Sequence, residues 1–272
     1  MSARRIGLVA WHVFKESVRD RVLYAIGGFA VLLVAASVLV GQITAGQDVK
    51  IIKDLGLAAI ELAGIIMTVF IGVGLVAREI ERRSIFALLA KPLPRWEFIV
   101  GKYAGLVLTV VVNVAAMTVV FFVMLAWLGA TAPANVRASW ATPAADPRLL
   151  IAIVEILAEL ALLTALALFF STFSSSTLLS VIYTVGLLVA GLVSHDLRNF
   201  GTIVDAPGMV SSAVSAVGWV LPAFSAFDHK NAVVSGLPIG AGRVFYNLLY
   251  AAAYSAAALA AAVAVFSRRE FR

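Results

Sequence analysis

The chain has 272 residues, of which 62% are hydrophobic and 13% are charged, and its mean hydropathy is +1.01. Because soluble domains carry about 25% charged residues, this composition excludes an ordinary water-soluble fold and predicts a single membrane domain over residues 1–272. The net charge of +6 does not indicate nucleic-acid binding, since the basic residues lie at the ends of apolar runs, and the lack of cysteine excludes disulfides and thiolate metal sites.

The first predicted element is an amphipathic helix within residues 1–21. Apolar side chains recur there at helical spacing, and charged side chains take the other face. A helix of this kind can lie in the plane of the lipid headgroups. We therefore expect an interfacial elbow helix, with an ordinary basic tail as the alternative. The interfacial residues are Trp11, Phe14, Lys15, Val18 and Arg19.

Six apolar stretches are long enough to cross a bilayer, which takes about 20 residues. Backbone amides in hydrocarbon must be bonded within their own segment, so these stretches are predicted to be helices. The first is too long for a signal-peptide core and has no A-x-A cleavage site. The fold class is therefore an all-α integral membrane protein with six transmembrane helices: Val22–Gly41, Leu55–Ala77, Tyr103–Leu128, Leu149–Phe170, Thr177–Ser194 and Val244–Phe266.

The distribution of positive charge predicts the orientation. Of the 21 Lys and Arg residues, 14 fall on the side of the two termini and of the second and fourth connections, and 7 fall on the other side. The positive-inside rule then places both termini in the cytoplasm and the loop over residues 195–243 outside. Within that loop, Met209–Pro222 is apolar but too short to span, so we expect a re-entrant or interfacial segment.

The cytoplasmic loop over residues 79–98 is predicted to contain a short amphipathic helix. Ile85, Leu88 and Leu89 recur at helical spacing, and Pro92 and Pro94 end the helix because proline cannot donate a backbone hydrogen bond. A short amphipathic helix held between two spans is suited to a groove on a partner protein. The alternative is a solvated basic loop.

In four places the sequence resembles the membrane subunits of type-2 ABC exporters, the ABC-2 permeases. These are FKESVRDRVLYAI, E-I-E-R-R-S-I-x-x-L-L-x-K-P-x-x-R-x-E-x-x-x-G-K, S-T-F-S-S-S-T and F-S-R-R-E-F. The resemblance implies a multi-pass permease of the inner (cytoplasmic) membrane whose first cytoplasmic loop is a coupling helix that contacts a nucleotide-binding subunit. The docking residues would be Glu81, Arg82, Arg83, Ile85, Leu88, Leu89 and Lys91.

The resemblance also implies the partners. Two permease copies, expected to form a homodimer, would act with two P-loop ATPase subunits in the lipid bilayer, and no nucleic acid is expected. ATP and Mg would be bound by the ATPase subunits, with no cofactor in this chain. The sequence contains no G-x-x-x-x-G-K-[ST] loop and no catalytic constellation, so the chain is expected not to be an enzyme.

Three carboxylates lie within predicted spans: Glu61, Glu155 and Glu159. An ionised carboxylate near the bilayer centre costs roughly 2.5–3.5 kcal/mol, so such residues usually face a bundle interior or water. They are candidates for the lining of a transport pathway or for polar contacts between helices, and an interfacial position is the alternative for Glu155. They also support a second hypothesis, an ion-coupled secondary transporter, although we find no internal repeat of the kind such carriers show. A non-transporting membrane scaffold is the third.

Two weaker patterns complete the sequence analysis. Gly101 and Gly105, four residues apart, would let another helix approach closely, without indicating which one. The three histidines, His12, His195 and His229, lack metal-binding spacing and are interpreted as solvated or interfacial.

Overall fold

A computed structural model describes residues 2–19, 27–28, 31–32, 35–36, 48–81, 94–174, 176–203 and 208–268. Within these ranges every regular element is helical, which confirms the predicted all-α class. A 3₁₀ turn covers Phe224–Phe227. The α-helices are α1 (Ser2–Val18), α2 (Asp48–Glu81), α3 (Arg95–Thr131), α4 (Ala134–Ala138), α5 (Leu149–Phe173), α6 (Thr177–Leu192), α7 (Ser194–Arg198), α8 (Phe200–Ile203), α9 (Gly208–Val220), α10 (Lys230–Val234) and α11 (Ala241–Arg268).

Four of these helices are long and apolar enough to cross a membrane: Val49–Val73 within α2, and α3, α5 and α11. A fifth span is possible if α9 and the segment Phe224–Val234, which meet at a bend of 57°, form one broken span. Helix α6 is apolar but has only 16 residues. The predicted span Val22–Gly41 lies mostly outside the described residues. The chain is therefore a multi-pass membrane protein, and the count of six spans stays a prediction.

The observed helices extend beyond the predicted apolar stretches. Helix α2 begins at Asp48 rather than Leu55, and α3 begins at Arg95, directly after Pro94, rather than at Tyr103. The 37 residues of α3 correspond to roughly 55 Å, whereas the hydrocarbon core is about 30 Å thick. A helix can continue into the headgroup region with polar side chains, so hydropathy marks the hydrocarbon and not the helix ends.

Helix α5 lies at the centre of the bundle and contacts α2, α3, α6 and α11. It is apolar around most of its circumference, which is the pattern of a helix buried on all sides. Helix α2 approaches it closely because glycine faces it twice: Gly64 lies opposite Leu160 and Gly72 opposite Ala167. The central position of α5 matters because this helix carries Glu155 and Glu159.

Helix α1 packs along the first turns of α3. Gly101 and Gly105 form the contact surface on α3: a methyl group added at Gly101 would lie 2.7 Å from Cβ of Val9, and one at Gly105 would lie 2.8 Å from Cβ of Val13. The glycine pair predicted from the sequence therefore receives the N-terminal helix. A small residue at both positions is required because the backbones come too close for a side chain.

The buried face of α1 differs from the predicted stripe. Val13 and Ser17 are buried against the bundle, whereas Trp11 is 60% exposed and only Phe14 and Val18 are partly covered. The sequence predicted that the stripe of Trp11, Phe14 and Val18 faces the membrane interface, and the glycine groove instead receives the compact side chains of Val9 and Val13. The position of α1 at the membrane surface stays a prediction.

Candidate functional site: a buried carboxylate cluster

Two of the three carboxylates singled out by the sequence, Glu61 and Glu159, meet in the structure, and Glu155 lies one helical turn before Glu159. Glu61 lies on α2, and Glu155 and Glu159 lie one turn apart on α5, so that Glu159 is about 15 Å along the helix from its first residue. Glu159 is 3% exposed and lies within electrostatic and hydrogen-bonding reach of Glu61. We call Glu61, Glu155 and Glu159 the carboxylate cluster.

Lys230 is the basic partner of this cluster. Its Nζ forms an ion pair with Oε2 of Glu61 and lies 3.5 Å from Oδ1 of Asp228. Lys230 is the first residue of α10, a short helix that packs against both α2 and α5. Its charge also acts on Glu159. A single lysine from the loop between α9 and α11 thus interacts with carboxylates on two spanning helices, α2 and α5.

Glu155 is completely buried within the bundle, and its depth in the bilayer stays a prediction. Its Oε2 accepts a hydrogen bond of 3.0 Å from Nδ2 of Asn247 on α11, and Asn247 also donates to the carbonyl of Ala226 at 2.9 Å. Nδ1 of His229 lies 3.9 Å from Oε1 of Glu155. His229 is therefore not simply solvated, as the sequence suggested, but faces a buried carboxylate.

The segment that carries His229 and Lys230 is fixed to the bundle by its neighbours. Phe224 and Phe227 are buried, at 1% and 2% exposure, and anchor the 3₁₀ turn. The backbone N–H of Ala223 donates to the hydroxyl of Tyr250 on α11 at 3.0 Å. Two apolar anchors and this hydrogen bond position the charged residues that follow.

Several hydroxyl side chains inside the bundle are hydrogen-bonded within their own helix, in contrast to the carboxylates. Thr109, Thr118 and Thr164 each donate to the carbonyl four residues earlier in their own helix, at 2.7–2.9 Å. A hydroxyl can use such a bond at little cost, but a carboxylate only accepts and must find donors on other elements. The carboxylate cluster is therefore one part of the interior whose polarity requires partners from other elements.

A second polar contact lies two turns before Glu61 on α2. Lys53 is 1% exposed, and its Nζ donates to Oγ1 of Thr142 at 2.8 Å and to the carbonyl of Pro143 at 2.7 Å. A cavity of about 270 Å³ opens beside it, lined by Lys53, Trp140, Val234 and Ser235 among others. Val234 is the last residue of α10, so this cavity borders the helix that carries Lys230.

The other sequence-predicted site residues lie away from the carboxylate cluster or outside the described part of the chain. The docking residues Arg82 to Lys91 fall in the undescribed range 82–93, and only the backbone of Glu81 is described, as the last residue of α2. Of the elbow residues, Trp11, Lys15 and Arg19 are exposed. No contact of the described residues shows a docking role for the first group or an interfacial role for the second, so both roles stay predictions.

The sequence analysis did not identify Lys53, His229, Lys230 and Asn247. Lys53 and Lys230 were counted as loop cations. Two signals were present: the charged run Asp228-His229-Lys230 follows an apolar segment directly, and Asn247 is an amide within a predicted span. A polar residue within a membrane segment should have been given the same weight as the carboxylates.

The bundle and its buried charges define the class of protein, a helical multi-pass membrane protein with an ionisable interior. The family follows from a sequence comparison: residues 8–271 match the family described as ABC-2 family transporter protein, and the chain belongs to this family. A comparison with curated proteins returned no match. The chain is therefore the membrane component of an ABC transporter, distinct from the ATPase, and the family implies a partner ATP-binding subunit.

Proposed function

We propose that this protein is the permease of an ABC exporter in which ATP hydrolysis on a separate subunit drives outward movement of a substrate. The match to the ABC-2 family over residues 8–271 is the observation that carries this proposal. Two copies of this chain would assemble with two ATPase subunits in the inner membrane. The carboxylate cluster, buried between α2 and α5, is the part of the interior suited to interact with a polar substrate group.

The geometry of α2 supports a coupling role for Glu81–Lys91. A single helix runs from Asp48 to Glu81 and carries Glu61, so that about 30 Å of continuous helix joins the carboxylate cluster to the start of the docking segment. On the other side of that segment, Nη1 of Arg95 donates to the carbonyl of Phe266 on α11 at 3.2 Å. Both ends of the loop are held by spanning helices, so force applied to the loop would reach the bundle.

The docking role is tested with the double variant Leu88→Asp/Leu89→Asp. Burial of an aliphatic side chain in a groove contributes roughly 1.5–3 kcal/mol, so the double variant should lose the ATPase subunit on co-purification, or retain it without stimulated hydrolysis. Ala87→Asp/Ala90→Asp places the same charges on the opposite face of the predicted helix and should keep the ATPase bound. If the two double variants behave alike, Leu88 and Leu89 do not form the docking surface.

The orientation is tested with single cysteines in the cysteine-free chain. Cysteine at Ser139 or Leu237, both exposed in the structure, should react with an impermeant maleimide in intact cells, and cysteine at Ser84 should react only after lysis. The reverse pattern would contradict both the orientation and the docking assignment.

The alternative function, an ion-coupled carrier, has its own test. Substrate movement that follows an imposed pH gradient without any ATPase subunit would favour that alternative.

A further inference from the structure

The cavity beside Lys53, which we call the lysine cavity, has a basic lining. Lys50 and Lys53 line it together with Trp140, Thr142 and Ser235 among others, and no acidic residue is among the described residues that line it. Its volume of about 270 Å³ is close to the lower limit of roughly 300 Å³ for ligand pockets. The lysine cavity is separate from the carboxylate cluster, and its charge is of the opposite sign.

Lys53 brings a buried positive charge to the wall of this cavity. The side chain is 1% exposed, and the two acceptors of its Nζ, a hydroxyl and a backbone carbonyl, are both neutral. Asp54 and Asp146 attract the ammonium group, but neither forms an ion pair with it in the described structure. Oδ1 of Asp146 instead accepts a hydrogen bond of 2.9 Å from the backbone N–H of Arg148. An ammonium group has three donors, so Lys53 can bond to one further acceptor, and an anion would compensate its charge.

Trp140 adds a second donor to the lysine cavity. Its Nε1 is buried and has no hydrogen-bond partner within the described ranges. Buried polar atoms are nearly always hydrogen-bonded, and an indole N–H only donates, so the partner that it lacks is an acceptor. Lys50, which is exposed, adds a second positive charge at the same cavity. All three side chains therefore favour a negatively charged acceptor and disfavour a cation.

The position of the lysine cavity indicates the kind of anion. The apolar span of α2 begins at Val49, and Val49 lines the cavity. The cavity thus lies where α2 leaves the hydrocarbon, which is the depth of the lipid headgroups. Tryptophan is enriched at this depth because its ring is apolar and its N–H is polar. The anionic group found there in every bilayer is the phosphate of a phospholipid.

An adjoining cavity of about 480 Å³ could hold the apolar part of such a molecule. It shares three lining residues with the lysine cavity, among them Trp140. Its other lining residues are mainly small and apolar, including Leu125 and Ala126 of α3, and Arg137 is the basic residue among them. A basic cavity beside a mainly apolar one matches a molecule with a charged head and hydrocarbon chains.

We propose that Lys50, Lys53 and Trp140 bind the phosphate group of an anionic phospholipid, whose acyl chains lie along the adjoining cavity. The phosphate accepts hydrogen bonds from the remaining N–H of Lys53 and from the indole of Trp140, and Lys50 compensates its charge from the exposed side. The bound lipid would connect α2 to the segment between α4 and α5. This inference does not depend on the proposed permease function.

The test compares three probes that separate the phosphate from its source. Native mass spectrometry of the purified full chain in neutral detergent follows the binding of dioctanoylphosphatidylglycerol, dioctanoylphosphatidylcholine and inorganic phosphate. The two lipids have the same chains and differ in net charge. We expect saturable binding of the phosphatidylglycerol, at least about tenfold tighter than that of the phosphatidylcholine, because charge-assisted hydrogen bonds favour the anion. Inorganic phosphate that binds as tightly as the phosphatidylglycerol would overturn the lipid as the occupant.

Variants locate the binding at the lysine cavity. Lys50→Met changes an exposed side chain, so it should fold as the wild type does and bind the phosphatidylglycerol about fivefold more weakly, through loss of one charge. Trp140→Phe keeps an aromatic ring, removes the N–H, and should weaken binding about fivefold as well. Lys53→Met should weaken it at least about tenfold, because it removes the buried charge.

The matched control is Arg243→Met, which removes an exposed cation of α11 that does not line the cavity and should bind the lipid as the wild type does. A second readout is thermal unfolding: the phosphatidylglycerol should raise the unfolding temperature of the wild type, and raise it less in Lys50→Met and Trp140→Phe. If these two variants bind the lipid as the wild type does, or if Arg243→Met weakens binding equally, the lysine cavity does not bind the lipid and the proposal is wrong.

Discussion

Two regions of this bundle are held together by contacts of different character. At one end, α1 lies in a groove formed by Gly101 and Gly105 of α3, against which Val9 and Val13 pack closely. Toward the other end, α2, α5 and α10 meet through Glu61, Glu159 and Lys230, and the contact is made by charge.

The two contacts differ in the property of the side chains on which each one depends. Close packing of a glycine groove depends on shape, and it is stabilising as soon as the helices touch. A charged contact requires its full set of partners, because removal of one leaves an uncompensated charge in a medium of low polarity. We therefore expect the contact of Lys230 with Glu61 and Glu159 to be sensitive to loss of charge, and the glycine groove to be sensitive to added volume.

The largest effect is expected for Lys230→Met, which leaves Glu61 beside Glu159 without the ammonium group. Breaking a fully buried ion pair costs about 3–5 kcal/mol, and this pair is 20% and 15% exposed, so a loss near or below the lower end of that range should shift thermal unfolding of the purified protein, followed by circular dichroism, to lower temperature. Lys50→Met changes an exposed lysine on α2, the helix that carries Glu61, and should leave the unfolding curve in place.

A double-mutant cycle makes this prediction sharper. Glu61→Gln removes the partner charge, so its combination with Lys230→Met should be less destabilising than the sum of the two single effects by about 0.5–3 kcal/mol. Strict additivity of the losses in unfolding free energy would show that Glu61 and Lys230 do not interact. A charged contact would then not hold α2 and α10 together.

The next effect is expected for Asn247→Leu. This change removes the donor to Glu155 and to the carbonyl of Ala226, and a lost hydrogen bond to a buried carboxylate costs roughly 1.5–3 kcal/mol. The matched control is Asn113→Leu, because within the described residues Asn113 donates to the carbonyl of Thr109 in its own helix. Chemical denaturation in detergent micelles measures both. Equal losses of unfolding free energy in the two variants would indicate that the hydrogen bond from Asn247 does not stabilise buried Glu155.

At the packed end, Gly105→Val should detach α1 from α3. The added side chain would overlap Val13 and the carbonyl of Ala10, and overpacking of this kind costs about 1–3 kcal/mol. Limited proteolysis should then cleave within residues 2–19 faster than in the wild type. Gly7→Val, on the open side of α1 where a methyl group would meet nothing within 4 Å, should leave the cleavage rate unchanged.

The smallest effect on stability is expected for Trp11→Ala, within about 0.5 kcal/mol, because the side chain is 60% exposed.

The predicted position of Trp11 at the membrane interface can be measured directly. In a variant with phenylalanine at the other four of the five tryptophans, Trp11 fluorescence should be quenched more by lipids brominated near the headgroup than by lipids brominated near the chain end. Equal quenching, or none, would contradict the elbow prediction.

Some of these features were predictable from the sequence and others were not. The helical class, the stretches around Leu55–Ala77, Tyr103–Leu128, Leu149–Phe170 and Val244–Phe266, and the glycine pair follow from composition and period. Lys230 was not recognised because it lies in a polar loop, where a lysine is unremarkable. The partners of Glu155 were not recognised either, since Asn247 and His229 lie about 90 and 70 residues away along the chain.

By itself, the sequence determined that this protein is a helical membrane protein, because hydrocarbon accepts only segments that satisfy their own backbone and lack charge. It also determined that Glu61, Glu155 and Glu159 would need partners. Only the tertiary structure decided which partners, since Lys230 lies 169 residues from Glu61 along the chain. Periodicity fixes the face of a helix on which a side chain lies, but the neighbour of that face is set by how the helices and loops pack together.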